Sequence, residues 1–256
     1  MKQQVALITG SSRGIGLGIA LALADKGFAI AITSTRDTEV LQSALEQVRA
    51  KGVKACKLVL DIADITNFDK ALDQVESELG PLTTLVNNAG ISVMNRGDML
   101  DVSEESYDRC MNVNTKGAFF MTQAFSKRVI AAKRDQNAFY SVVNITSSNA
   151  RAVAIPRSEY CVSKAGAAMS SQCWAVRLGA ENVHVYDVQP GFISTKMTAA
   201  VIDQYEQRAK DGLTILPRVG YPEDMGSVVA SLATGGLPYV TGQVISADGG
   251  LLVPRF

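Results

Sequence analysis

The chain has 256 residues but only one histidine, one tryptophan and four cysteines. Cys56, Cys110, Cys161 and Cys173 form no CxxC pair, and His184 has no second imidazole to work with. Structural and catalytic zinc sites need clustered Cys and His ligands, so no metal is expected. Scattered thiols of this kind suit a reducing compartment, and a cytoplasmic location is expected. Neither sign of charge is in excess, because 25 Lys and Arg balance 25 Asp and Glu. A neutral chain sets up no field that would recruit nucleic acid or an anionic membrane. No run approaches the roughly 18 apolar residues of a membrane span. The opening MKQQVALITG lacks the long apolar stretch and small-residue cleavage site of an export signal. No Pro-, Gly- or Ser-rich linker, repeat or low-complexity tract interrupts the sequence, and a single domain over 1–256 is expected.

What the chain does have is apolar residues, 47% of the total, enough for a large core. Short β-branched runs at 5–9, 29–33, 54–60, 84–87, 140–146, 183–189 and 243–247 read as strands. Helical patterns fill the gaps at about 14–26, 38–51, 65–79, 104–132, 158–181 and 222–233. Strands alternating with helices make βαβ units. With right-handed crossovers these give an α/β fold: a Rossmann-type, doubly wound parallel sheet of seven strands in a three-layer αβα sandwich. The least regular stretch, about 191–221, follows the sixth strand. Open α/β sheets bind ligands beyond the carboxyl ends of their strands, so this stretch is expected to be a substrate loop.

The first strand runs into Thr9-Gly10-Ser11-Ser12-Arg13-Gly14-Ile15-Gly16 and then a helix. Glycines allow a tight turn and close backbone approach to a pyrophosphate. The helix N-terminus supplies free N–H groups and a positive dipole end. Further on, Tyr160 and Lys164 stand four apart in a candidate helix, on one face. A free phenol titrates near pH 10, too high for acid/base work at neutrality, but a neighbouring ammonium favours the phenolate and should lower that value. Such a tyrosine can exchange a proton with a substrate oxygen. Alone, the pair is also compatible with ordinary helical packing.

The spacing TGxxxGxG resembles the short-chain dehydrogenase/reductase family. Asn87-Asn88-Ala89-Gly90 is similar to its NNAG motif, Tyr160-Cys161-Val162-Ser163-Lys164 to its YxxSK motif, and Pro190-Gly191 to its PG turn. With Asn114 and Ser147, these matches run in order from Val5 to about Gly250, with general similarity to 3-oxoacyl-[acyl-carrier-protein] reductases. The resemblance implies a nicotinamide-dependent oxidoreductase acting on a carbonyl or secondary alcohol. It implies Tyr160 as acid/base, and Lys164 as the group that lowers its pKa and binds the nicotinamide ribose. Ser147 would orient the carbonyl and Asn114 would support a proton-relay water. Thr146 and Ser148 flank Ser147, so a one-residue shift of that role stays open. Cofactor contacts are implied for Gly10, Ser12, Arg13, Gly14, Ile15, Gly16, Thr35, Arg36, Asp61, Ile62, Asn88, Ala89, Gly90, Tyr160, Lys164, Pro190, Gly191, Ile193 and Thr195.

After the second strand the chain reads Thr33-Ser34-Thr35-Arg36-Asp37. By the family's spacing, Ser34 takes the position where NAD enzymes place an acid for the ribose 2′-hydroxyl. Arg36 and Arg13 suit a 2′-phosphate instead, since Arg can grip it bidentately. NADP(H) is expected in preference to NAD(H), and Asp37 keeps NAD(H) as the alternative. Arg96, Arg151 and Arg157 could give the pocket mouth a positive rim, which suggests a small polar ketone, sugar-derived or hydroxy-acid substrate. They could equally be surface arginines. The alternative is a 3-oxoacyl-[acyl-carrier-protein] reductase, against which Glu181 speaks, because an acid there would repel an acidic carrier. Lys133 and Arg134 would partly compensate. A non-catalytic nicotinamide sensor is the third reading. Met94, Met99 and Met197 could line an apolar pocket, with core packing the plainer role. Met169, Cys173 and Trp174 suggest a subunit contact, and the resemblance implies a homotetramer.

Overall fold

The computed structural model describes residues 3–132 and 134–255, so Lys133 lies outside the described residues. Seven strands form one sheet: β1 (Val5–Ile8), β2 (Ala29–Ser34), β3 (Ala55–Val59), β4 (Thr84–Asn87), β5 (Tyr140–Ile145), β6 (Val183–Pro190) and β7 (Val244–Ala247). All neighbours are parallel, in the order β3-β2-β1-β4-β5-β6-β7. The chain leaves β1 toward one edge and returns at β4 to build the other. Between the two strands a crevice opens at their carboxyl ends.

Eight α-helices cover the sheet: α1 (Gly14–Ala24), α2 (Glu39–Arg49), α3 (Phe68–Leu79), α4 (Glu104–Met111), α5 (Ala118–Ala131), α6 (Ser158–Leu178), α7 (Ile202–Arg208) and α8 (Pro222–Ala233). Alternate strand residues feed two cores. Ile8, Ile30, Ile32, Val143 and Val188 pack with α1, α2 and α8, while Leu7, Ala31, Leu85, Val142 and Val185 pack with α3, α5 and α6. A sheet buried on both faces explains why its central strands are apolar throughout.

The 11 residues of α1 include no charged side chain. A helix apolar on every side must be covered on every side. The sheet covers one side of α1 and α8 the other, at a crossing of two glycines. A Cβ on Gly18 would lie 2.5 Å from the Pro222 carbonyl oxygen, and one on Gly226 2.6 Å from that of Gly18.

The expected helix over 104–132 is divided. A π-helical turn, Asn112–Gly117, separates α4 from α5. Such turns insert an extra residue and often mark functional sites. It sits where a Cβ on Gly117 would overlap the Ile62 carbonyl. The 191–221 stretch is irregular as expected but holds α7 and a second π turn, Ala209–Leu213, that the sequence pattern did not disclose. Its ends are pinned by a bridge between Ile193 and Gly220. Met94, Met99 and Met197 are exposed rather than packed in the core, and they line neither of the two cavities described below. Trp174 packs against Phe119 in a tilted arrangement, with ring centroids 5.1 Å apart. The outer face of α6 instead exposes Val162, Met169 and Val176, seven residues apart. Among the described residues no helix is long and apolar enough to cross a membrane, and no His/Cys/Asp/Glu group could hold a metal ion.

Gly226→Val should push α8 off α1 and cost about 1–3 kcal/mol, as overpacking of a tight core does. A lower Tm in thermal unfolding followed by circular dichroism is the expected result.

Candidate active site

The turn after β1 and the loop after β4 are locked together. The Asn88 side-chain amide donates to the Thr9 and Gly10 carbonyls at 2.9 and 3.0 Å. The Asn88 and Ala89 backbone N–H groups both donate to Thr9 Oγ1, each at 3.0 Å. Gly10 has φ +63, and a Cβ there would lie 2.9 Å from Ala89 Cα. A Cβ on Gly16 would meet Asn88 Nδ2 at 2.5 Å. The glycines are therefore needed for contact between these two loops as well as for approach to a ligand. Gly14, with φ +56, faces the Thr195 methyl across the crevice, and Ile193 is buried beneath that segment. Ser12 and Ile15 are partly exposed at this turn, and Arg13 is exposed. No side chain caps the start of α1 and no acid lies in its first turn. Its free N–H groups and dipole face outward, ready for an anion.

At the far end of the crevice, Thr35 and Arg36 are exposed beyond β2. Asp37 turns to Lys57 on β3 and pairs with it at 2.7 Å. Asp61 accepts from the Ala63 N–H at 2.9 Å, capping its own turn, and Ile62 beside it is buried.

At the near end, β5 delivers Ser147, α6 delivers Tyr160 and Lys164, and the π turn delivers Asn114. Lys164 is 5% exposed, and its ammonium donates to the Ile145 carbonyl at 3.0 Å. A Cβ on Gly90 would lie 3.4 Å from Lys164 Nζ and 3.2 Å from Asn114 Oδ1, so the bare glycine leaves this corner open. The Asn114 amide is fully engaged. It donates to the Ile91 carbonyl and Ser163 Oγ, both at 3.0 Å, and accepts from the Ile91 N–H at 2.9 Å. Ser147 Oγ accepts from the Asn149 N–H at 3.0 Å, which leaves its own proton to donate. Pro190-Gly191 closes the floor, where a Cβ on Gly191 would lie 2.8 Å from Asp248 Cα.

The electrostatics correct one expectation. The Tyr160 phenol is held above its usual pKa, not below it. Burial raises it, while the Ser147 hydroxyl and the Arg157 charge pull the other way. Lys164 Nζ lies 5.8 Å from the Tyr160 ring centroid and is committed to Ile145. Burial also pulls Lys164 itself down to about 8, against the favourable charge of Asp187. Without a bound partner the tyrosine is protonated at neutral pH.

Of the three expected rim arginines, Arg96 and Arg157 line a cavity of about 360 Å³ beside Ser148 and Asn149, but Arg151 does not. Arg208, from α7, is the third arginine there. It was missed because 191–221 read as irregular. Its only sequence signal is the Tyr205–Arg208 spacing, one helical turn. No acid lines this cavity, and none of its three arginine side chains forms an ion pair or hydrogen bond among the described residues. Neither this cavity nor a second one, about 420 Å³ and lined by Ile215, Asp224 and Gly250, includes Ser147 or Tyr160 in its walls.

An uncapped helix start, a glycine floor and an ammonium beside an open corner fit a nicotinamide dinucleotide laid across the switch point. The comparisons agree. The family model described as enoyl-(acyl carrier protein) reductase matches residues 10–252. The chain belongs to the short-chain dehydrogenase/reductase family and is a nicotinamide-dependent oxidoreductase. It is 33% identical to a 3-oxoacyl-[acyl-carrier-protein] reductase of Staphylococcus aureus over 96% of this chain and 97% of that one. A 3-oxoacyl-[acyl-carrier protein] reductase of Brucella melitensis, solved in complex with NAD, superposes with TM-score 0.96 at 38% identity, covering 100% of both chains. A putative 2-deoxy-D-gluconate 3-dehydrogenase of Agrobacterium tumefaciens with bound NADP gives 0.87 at 31%, covering 98% of this chain and 97% of that one.

Proposed function

We propose that the chain, as one domain with its substrate loop at about 191–221, interconverts a carbonyl and a secondary alcohol, with Tyr160 as acid/base. The observation that carries this is that Lys164 and Asn114 flank the corner left open by Gly90, with Lys164 Nζ 5.8 Å from the Tyr160 ring centroid and the Tyr160 phenol hydrogen-bonded to Ser147. Nicotinamide, when bound, supplies or takes up the hydride. Ser147 donates its free proton to the carbonyl oxygen and holds it as charge develops. The protonated Tyr160 phenol gives its proton to that oxygen in reduction and recovers it in oxidation. The Lys164 ammonium stabilises the phenolate left behind and holds the nicotinamide ribose. Asn114 fixes Ile91 and the π turn, and so supports the relay that reprotonates the phenol. Gly10, Ser12–Gly16, Asn88–Gly90 and Thr195 cradle the pyrophosphate side, and Thr35, Arg36, Asp61 and Ile62 the adenosine side.

The three unpaired arginines around one cavity favour a small polar substrate carrying an anionic group, a sugar-derived or hydroxy acid, over a neutral ketone. The name of the Agrobacterium relative points the same way. One observation favours the second reading, a 3-oxoacyl-[acyl-carrier-protein] reductase. Glu181 is engaged by Arg134 at 3.8 Å and Arg177 at 3.6 Å, so its charge is less of an obstacle to an acidic carrier than its position suggested. NADP(H) is the preferred cofactor in this reading, because Asp37 is tied to Lys57 while Arg36 is free. Relatives crystallised with NAD and with NADP leave both within the family's reach. The exposed Val162, Met169 and Val176 stripe supports burial of α6 against another copy, in a homotetramer. A cytoplasmic location goes with this reading.

Tyr160→Phe should lower kcat by about 10²–10⁴-fold across a ketone and alcohol panel, the usual worth of a general acid, while leaving fluorescence-monitored cofactor binding unchanged. Cofactor binding by the parent protein with no turnover anywhere on the panel would favour the sensor. With sugar acids, Arg208→Ala should raise KM by about tenfold, the loss of 1.4 kcal/mol of binding, with little effect on kcat. Unchanged KM together with turnover of acyl thioesters would favour the carrier-protein reading. kcat/KM should be at least about tenfold higher with NADPH than with NADH, the discrimination a 1.4 kcal/mol contact gives, and Arg36→Ala should narrow it.

A further inference from the structure

Lys164 has a buried acid behind it that the proposed chemistry does not use. Asp187 lies on β6, and β6 pairs with β5 so that Asn144 faces Asp187 and Ile145 faces Val188. Strand alternation turns Val185, Asp187 and Gln189 toward the α6 side of the sheet, the side from which Lys164 descends to the Ile145 carbonyl. Asp187 is 2% exposed. Thr146 Oγ1 donates to one carboxylate oxygen and Gln189 Nε2 to the other at 2.8 Å. Among the described residues no cation forms an ion pair with it. The groups facing Lys164 are Tyr160 on its own helix, Cys110 from α4, Asn114 from the π turn, the Ile145 carbonyl from β5 and Asp187 from β6. Asp187 is the only carboxylate among them.

We propose that Asp187, held by Thr146 and Gln189, is a positioning residue that keeps the Lys164 side chain charged inside the protein.

A buried amine sheds its proton unless an opposite charge offsets the lost hydration. Burial pulls Lys164 down to about 8, and Asp187 is the largest influence opposing that fall. Desolvation, the largest influence, raises Asp187 above the usual carboxylate range, and the Thr146 and Gln189 hydrogen bonds and the Lys164 charge oppose that rise. The two donors favour the ionised carboxylate, and the carboxylate favours the ammonium. The inference rests on the proposed role of Lys164, but its test does not.

The test is the titration of Lys164 in cofactor-free protein labelled with [13C,15N]lysine. The signal is assigned by its loss in Lys164→Arg. The expected parent midpoint is near 8. Asp187→Asn should lower it by about one pH unit, the lower end of the effect of a nearby opposite charge. The new amide can donate to Gln189 Oε1, a buried acceptor with no partner, so the variant has a means of packing. Thr146→Val, which keeps the carboxylate and removes one donor, should give a smaller shift of the same sign, and it carries the test should Asp187→Asn not fold. The alkaline limb of kcat/KM for carbonyl reduction should move to lower pH with the midpoint. An unchanged Lys164 midpoint in the folded variants overturns the inference, and the reaction assigned to Tyr160 then stands untouched. A shifted midpoint in a protein that turns over no substrate would support the pairing and sink the reaction instead.

Discussion

The site depends on one contact, the close approach of the turn after β1 to the loop after β4. Pairing of β1 with β4 sets the two strand ends side by side, but it does not of itself hold the loops beyond them together. Thr9 and Asn88 do so, with four hydrogen bonds of 2.9–3.0 Å between backbone and side chain. Gly10 and Gly16 remove the Cβ atoms that would keep the loops apart. Each such bond contributes only about 1 kcal/mol net, so the geometry matters more than the energy. Once the loops are locked, Gly90 is fixed beside Lys164 and Asn114, and the uncapped start of α1 faces the same crevice.

The electrostatics of that crevice run against a simple reading of the Tyr–Lys pair. Helical spacing places the two side chains on one face, and an ammonium on the same face as a phenol ought to acidify it. Burial acts on both groups at once, raising the phenol and lowering the amine. The resting state is therefore a proton donor beside a cation that has to be sustained. Part of that support comes from a different strand, and strand-to-helix electrostatics of this kind have no local sequence signature.

The fold was legible where sequence pattern and three-dimensional constraint coincide. All seven strands were recognised as short β-branched runs; the central ones are apolar throughout because both faces of the sheet are buried there, whereas the edge strand β7 is only partly buried. Residues 14–24 were recognisable as helix, and the lack of any charge there matches a helix covered by the sheet on one side and α8 on the other. The π turn at 112–117 was not visible, because it arises from the approach of Gly117 to the Ile62 carbonyl, some 55 residues away in sequence. Of the site, Ser147, Tyr160, Lys164 and Asn114 were legible as motif members. Arg208 was not, lying in a short helix within a loop, and Arg151 was grouped with Arg96 and Arg157 by sequence proximity alone. Asp187 passed as an ordinary strand residue, since only the register of β5 against β6 sets it behind the lysine.

The glycine crossing of α1 and α8 has a bearing on how such an enzyme could change its substrate. The irregular stretch between β6 and α8 is moored at its start by the bridge to Gly220 and at its end by a helix packed, backbone to backbone, on the one that opens the proposed dinucleotide seat. The part of the stretch beyond Thr195, α7 with Tyr205 and Arg208 included, can be rebuilt by insertion, deletion or replacement without disturbing the proposed redox machinery. A substrate pocket walled from there would be a cassette slotted between two fixed posts, open to selection separately from the chemistry.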